Sequence, residues 1–294
     1  MQTLCVSKKT ISFILELKQN GQLPYLKSLI LFDHADQRML EWATEQGVEL
    51  LTFQFLVKEG DKIQEIQRDE PQADSVLLLG ITSGTTGDPK MAMLTHRNLI
   101  SGQVAADYIG FNFTENDVYL SYVPLTHVYE QITHACAVMY GYRIGYSSDG
   151  TNNLIKDMQS LKPTFFGSFP AFYNKMHSQI EEQIKKLQWP LKGIVEHAIA
   201  SKKWYFHNHG LLRHWIYDPF VFRPMRKVLG GNIRIMCSGG APLYPEIKHL
   251  LTVVYSAPIF EAYGQTESSG NCACTAFWER SAGHVGGILP CIRM

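Results

Sequence analysis

The sequence predicts an α/β fold built on a largely parallel sheet. Two runs of strand–helix alternation, one before residue 58 and one after residue 96, are the first observation. Such alternation builds βαβ units. The second is punctuation, since Asn20-Gly21 and Gly47 stand where helical periodicity stops. The third is the short apolar run 75–80 (SVLLLG), which reads as a buried strand leading into a glycine-rich loop.

The elements follow in order. Residues 10–19 form a helix around Ile11, Ile14 and Leu15, and residues 29–32 a buried strand. A helix over 36–46 precedes a strand over 48–53, and the polar stretch 58–74, with Pro71, reads as a loop. After the glycine-rich loop, helices are expected over 96–109, 128–140, 152–160 and 171–187. Strands over 117–124, 142–147 and 164–169 lie between them. Residues 193–229 read as a largely helical excursion rich in aromatics, expected mostly in the core. A strand over 233–236 and a helix over 243–255 close the alternation.

Composition narrows the function classes. A chain of 294 residues, 45% hydrophobic and 18% charged, has length for about two domains and the balance of a globular protein. Lys+Arg and Asp+Glu are 27 each, so the net charge is zero. That argues against nucleic acid as a partner, because no domain-wide basic field exists. The basic clusters at Lys202-Lys203 and 223–227 read as solvated helix faces. Six cysteines with no CxxC pair read as free thiols in a reducing compartment. The N-terminus lacks the apolar run of a signal peptide, and no stretch of 18 apolar residues occurs. The expectation is a soluble or peripheral intracellular protein.

The chemistry concentrates at 81–90, ITSGTTGDPK. Gly84 and Gly87 free the backbone to aim successive N–H groups inward, which makes a nest for anions. Thr82, Ser83, Thr85 and Thr86 supply hydroxyls that can donate to phosphate oxygens, and Lys90 supplies a cation. The common P-loop needs Gly-Lys-Ser/Thr after four residues, and no lysine follows Gly87 here. TSGTTG-x-PK resembles instead the phosphate loop of the adenylate-forming, or AMP-binding, enzymes.

Four further motifs strengthen the resemblance. At 260–267, FEAYGQTE offers Tyr263 as a flat face for a purine and Gly264 for close backbone approach. Glu267 there is a hard oxygen ligand suited to magnesium. Taken alone, this segment also fits a strand-end turn. At 237–242, CSGGAP resembles the family's adenine-lining turn through Gly239, Gly240, Ala241 and Pro242, and also suits a βα turn. At 121–130, SYVPLTHVYE resembles a segment whose histidine, here His127, lies near the substrate carboxylate. At 284–290, HVGGILP resembles the turn that follows.

The chain is therefore identified as a member of the adenylate-forming superfamily, closest to the long-chain fatty acid–CoA ligase (acyl-CoA synthetase) branch. The resemblance implies the layered αβ large domain of that fold in truncated form, without its C-terminal lid. Residues 1–74 would be a partial N-terminal αβ portion and 75–294 the core of the AMP-binding domain. It implies that a fatty acid carboxylate attacks the α-phosphate of ATP, and that coenzyme A then takes the acyl group. Thr82, Ser83, Gly84, Thr85, Thr86, Gly87 and Lys90 would hold the leaving phosphates. Thr266 and Glu267 would hold the α-phosphate and magnesium, Glu267 as the metal ligand. His127 would face the substrate. The branch further implies a place in the cytoplasm or on the cytosolic face of the endoplasmic reticulum or peroxisome, with peripheral membrane contact.

Two departures stand out. Met91 replaces the glycine that usually follows the loop lysine, and would be strained if that position needed a positive φ. Ala171 replaces a usual arginine. With the missing lid, these keep two alternatives open: a catalytically inactive homologue that binds nucleotide or acyl chain, and, more distantly, an amino-acid-adenylating domain.

Overall fold

The computed structural model describes residues 1–82 and 88–293, and the chain divides into two compact units, Met1–Glu70 and Pro71–Met294. In the first unit, β1 (Thr3–Val6), β2 (Ser28–Leu31) and β3 (Glu49–Thr52) form a parallel three-stranded sheet in that order. Helices α1 (Ile11–Gln19) and α2 (Gln37–Glu45) lie in the connections. Ile11, Leu15, Leu29, Leu31 and Ala43 are fully buried together, which is how the apolar stripe of each helix is satisfied. Asp36 caps α2 by accepting the Met39 N–H at 3.0 Å, and Gly47 follows it with φ +66°.

The start of the expected 58–74 loop is helical instead. Helix α3 (Phe53–Gly60) begins at Thr52, whose hydroxyl accepts the Phe55 N–H at 3.2 Å. The strand expected over 48–53 would keep Phe53 extended. The cap at Thr52 decides otherwise, and α3 buries no residue.

The second unit opens with an antiparallel hairpin, β4 (Val76–Thr82) and β5 (Lys90–Thr95). The run at 75–80 is thus a strand, but not a buried one. Leu79, Ile81, Met91 and Met93 are exposed, while Gly80 and Leu94 are buried. Met91 pairs with Ile81 in regular strand register, without the positive φ that would have made it costly.

Helices and strands then alternate: α4 (His96–Ile109), β6 (Val118–Ser121), α5 (Val128–Tyr140), β7 (Arg143–Tyr146), α6 (Leu154–Leu161), β8 (Phe165–Ser168) and α7 (Pro170–Lys186). Next come α8 (Leu191–His209), a π-helical turn Asp218–Phe222, α9 (Arg223–Lys227), β9 (Ile235–Gly239), α10 (Pro245–Tyr255) and β10 (Ile259–Tyr263). Two short strands, β11 (Ala273–Cys274) and β12 (Gly287–Ile288), end the chain. The sheet order is β12-β11-β10-β9-β8-β6-β7, parallel from β7 to β10 and antiparallel at β11 and β12.

Adjacent residues on each central strand enter different cores, because successive side chains point to opposite faces. Leu120, Phe166 and Met236 join α6, α7, α8 and α10 on one face. Tyr119, Phe165 and Ile235 join α4 and α5 on the other. Strands covered on both faces read as unbroken apolar runs, as parallel sheets do. At the amino ends of three strands, Arg234 grips Asp117 through two nitrogens at 2.8 and 2.6 Å, and the Thr164 hydroxyl donates to the same carboxylate at 2.6 Å. Arg234, Thr164 and hydrogen bonding hold the Asp117 carboxyl below its usual range against the opposing effect of burial.

The aromatic excursion divides between core and surface. Phe206 and Phe222 are buried, but Trp215 is 84% and Phe220 81% exposed. Lys202 on α8 is fully buried and donates to Asp218 at 2.5 Å and to the Ser256 hydroxyl at 2.7 Å. Its ammonium also lies 4.1 Å from the centre of the Phe222 ring. Arg226 reaches the other Asp218 oxygen at 3.1 Å. Burial lowers the Lys202 pKa to about 8, opposed by Asp218.

Candidate active site

The carboxyl ends of β6, β8, β9 and β10 supply the candidate residues. In an open α/β sheet that edge is where ligands bind. Since β9 and β10 are parallel neighbours, with Ala262 opposite Gly239, the turns that follow them lie side by side. The GGAP turn after β9 and the YGQTE turn after β10 therefore meet, although they are distant in sequence.

Each turn is shaped by its glycines. Gly240 has φ +84°, and an added Cβ there would meet the Phe169 ring at 3.2 Å. A Cβ at Gly264 would overlap the backbone carbonyl of Gly270. The turn between them closes on itself, with the Gly270 N–H donating to the Gln265 carbonyl at 2.9 Å and the Ser268 hydroxyl to the same carbonyl at 3.0 Å. Thr266 and Glu267 sit in the short 3-10 helix Thr266–Ser268 that this closure creates.

His127 caps α5, its Nδ1 accepting the Tyr129 N–H at 3.3 Å. Its ring stands edge-on to Phe169, centroids 5.4 Å apart. Burial lowers the His127 pKa below the ordinary imidazole value, partly offset by the charge of Glu130. Glu130 is fully buried below it and accepts the Tyr119 hydroxyl at 2.8 Å. A folded-state pKa below the unfolded value of 6.5 means that the contribution of His127 is intact above pH 6.5 and is lost as pH falls towards the folded value. The urea midpoint is expected to drop on acidification across this window, and to drop less in His127→Gln. Equal drops in both proteins would remove His127 from the account.

One cavity of about 180 Å³ gathers most of these groups, against the roughly 10–15 Å³ that one water needs. His127, Gly239, Gly240, Gly264 and Thr266 line it, with Phe169 and Ala262. Behind them the wall is apolar: Ala106, Ile109, Phe111, Ile132 and Phe165. Cys136, Cys237 and Cys274 also line it, and burial pushes all three thiols up, Cys136 and Cys237 to about 12. They stay protonated at neutral pH and act as apolar wall, not as nucleophiles.

The other sequence candidates lie elsewhere. Tyr263, Ala241, Pro242 and Glu267 are exposed next to the lining turns and outside the lining itself. Glu267 has no ion-pair partner among the described residues. Thr82 and Lys90 pair at the end of the β4–β5 ladder that adjoins the glycine-rich segment. Ser83, Gly84, Thr85, Thr86 and Gly87 lie outside the described residues. The hairpin packs on the site through Gly80, where a Cβ would come within 2.5 Å of Thr266 Cγ2. Gly80 was not singled out from sequence, although a glycine inside a strand signals close backbone approach. Phe169 gave no such signal, since its role arises only where β8 ends beside β9.

Adjacent glycine turns at the carboxyl edge of a parallel sheet, with an apolar cavity behind them, define a ligand-binding α/β enzyme domain. The chain belongs to the AMP-binding enzyme family, whose pattern matches residues 4–294. It is similar to long-chain-fatty-acid–CoA ligase 5 of Mus musculus, 32% identical over 98% of this chain and 42% of the relative. The chain thus spans about two fifths of the curated relatives it matches. Among solved structures it resembles the adenylation domain of a carboxylate reductase from Mycobacterium chelonae, with TM-score 0.72 and 16% identity over 93% of this chain and 41% of that one. The corresponding Segniliparus rugosus domain, in complex with AMP and a co-purified carboxylic acid, has TM-score 0.66 and 19% identity over 92% of this chain and 42% of that one. At these identities the structural likeness establishes the fold, the large domain of the adenylate-forming enzymes. No helix among the described residues is long and apolar enough to cross a membrane.

Proposed function

We propose that this chain carries the nucleotide- and acyl-binding part of an enzyme that activates a long-chain fatty acid with ATP. The acid first becomes an acyl-adenylate with release of pyrophosphate, and coenzyme A then takes the acyl group as a thioester. The observation that carries this reading is the composition of the cavity at the carboxyl edge of the sheet: glycine turns and Thr266 at one part of its wall, aliphatic and phenyl groups at another. An acyl-adenylate has the same two-part chemistry. The curated relatives named long-chain-fatty-acid–CoA ligases support the acyl class.

The residues present fit a nucleotide. A side chain at Gly264 or Gly240 would collide with neighbouring groups, so both turns keep bare backbone at the cavity wall. Tyr263, half exposed beside them, offers a ring face for the base. Thr266 would donate to the α-phosphate, and Lys90, with the loop hydroxyls, would neutralise the departing phosphates. His127, whose pKa lies below the ordinary imidazole value, would receive the carboxylate end of the acid as a hydrogen-bond partner. Magnesium, when bound through Glu267, would offset charge on the leaving pyrophosphate. Positioning and charge stabilisation supply most of the catalysis in phosphoryl chemistry, so no nucleophilic side chain is required.

The test is fatty-acid-dependent exchange of labelled pyrophosphate into ATP. Exchange with long-chain acids is expected, and Thr266→Val should slow it by roughly 10²–10³, the usual effect of losing one preorganised donor. Nucleotide binding without exchange would establish the inactive homologue instead, and exchange driven by amino acids would establish that class.

A further inference from the structure

A second cleft lies at the opposite edge of the sheet. Lys162, Arg213, Arg223, Arg226 and Lys227 line it, with Gln159, Asn232 and the paired glycines Gly230 and Gly231. It is an open cleft of about 700 Å³. Lys162 directly follows α6 and stands before β8, and residues 226–232 stand before β9. The cleft is therefore at the amino ends of strands whose carboxyl ends supply Phe169, Gly239 and Gly240. Strands of four and five residues separate the two edges by roughly 13–17 Å. Packed core fills both faces of the sheet between them, so a nucleotide at the glycine turns would not reach it.

We infer that this cleft is a binding site for a ligand carrying two or more phosphate groups. Five cations line it and no carboxylate does, in a chain whose net charge is zero. Lys162, Arg213, Arg223 and Lys227 have no ion-pair partner among the described residues. Arg226 is the exception, and its partner Asp218 is shared with the buried Lys202, so one carboxylate serves two cations. Asp218 and the Ser256 hydroxyl, 2.9 Å from Arg226 Nη1, hold that guanidinium in place.

The floor is shaped as well as charged. Gly230 has φ +86°, and a Cβ there would overlap the Met158 carbonyl and lie 2.8 Å from Lys162 Cα. The loop after α9 is thereby pressed onto the end of α6, which brings Lys162 beside Arg226 and Lys227. The Gln159 amide ties the same two walls together by donating to the Val228 carbonyl at 3.3 Å. Guanidinium forks match phosphate oxygens in pairs, and several cations around one open cleft select for multiple phosphates over a single carboxylate. A lipid headgroup and a free polyphosphate share this chemistry.

The experiment is calorimetric titration of the 294-residue chain with inorganic tripolyphosphate. Because the glycine-rich loop is a second candidate for the same anion, it is run on three proteins: the parent, Arg223→Gln/Lys227→Gln and Lys90→Gln. Arg223 and Lys227 are exposed, so their replacement leaves the core intact. The expected result is affinity lowered at least tenfold in Arg223→Gln/Lys227→Gln, with one equivalent of binding retained in Lys90→Gln and weakened by salt. Arg223→Lys/Lys227→Arg should restore it. Sedimentation with vesicles containing phosphatidylinositol bisphosphate, against phosphatidylcholine alone, assigns the source. Capture that tripolyphosphate competes away assigns a headgroup, and tripolyphosphate binding without capture assigns a free phosphate ligand. No binding to either probe, or binding unchanged in Arg223→Gln/Lys227→Gln, overturns the inference. None of these outcomes depends on adenylation.

Discussion

Lys202→Ala is expected to destabilise the second unit by about 3–5 kcal/mol, the usual effect of removing one partner from a buried ion pair. Three losses combine. Asp218 loses its 2.5 Å donor in a buried setting, the Ser256 hydroxyl loses a 2.7 Å neighbour, and the Phe222 ring loses the ammonium over its face. Arg226 still reaches Asp218 at 3.1 Å, so the carboxylate is not left without a counter-charge, which favours the lower end of the range. Lys202→Met separates packing from charge, because its side chain refills most of the space while removing the donor. A urea midpoint shift larger for alanine than for methionine is expected. An alanine midpoint equal to the parent's would show that Arg226 alone satisfies Asp218.

Gly264→Ala is expected to slow adenylate formation by about 10²-fold or more, the scale of a misplacement near 1 Å at a reacting centre. The added methyl would meet the carbonyl oxygen and carbon of Gly270, and the Asn271 nitrogen at 2.9 Å. All three are backbone atoms, so no side chain can swing aside. Gly270 has little freedom of its own: its φ is +85°, and even a Cβ there would meet Ile132 Cδ1 at 2.7 Å. The strain must be released by moving the 265–269 turn, which carries Thr266 and one wall of the cavity. Pyrophosphate exchange and nucleotide affinity should fall together, while far-ultraviolet circular dichroism is unchanged. Parent-like exchange would show that the turn relaxes without moving Thr266.

The two substitutions also mark how much was legible in the residue order. Gly264 was legible because its chemistry is local: an aromatic, a glycine, then a threonine and a glutamate in one short segment. Helices α4 and α5 were legible for the same reason, each bounded by an N-cap and by a left-handed glycine, Gly110 and Gly141. Lys202 was not. Its neighbours in sequence mark a solvated basic face, and only the arrival of Asp218 and Ser256 makes a buried charge there tolerable. The same blindness made 223–227 look like a plain helix surface, whereas Arg223, Arg226 and Lys227 face Lys162 across a cleft. It also hid α3, which starts from the threonine cap at Thr52, inside the strand expected over 48–53.

The residue order alone was enough for the α/β class, the alternation of helices and strands between residues 96 and 255, and the family, because caps, glycine stops and phosphate-loop chemistry act over a few residues. Packing decided the rest. It set the sheet order, with β6 between β7 and β8, and it left the apolar strand at 76–82 with an exposed face. It also made the cavity that gathers His127, Phe169, Gly240 and Gly264 from four strand ends. These features depend on which apolar faces bury one another, as when Arg234 finds Asp117 across 117 positions. The free energy of such contacts resides in area and pairing that no local window contains.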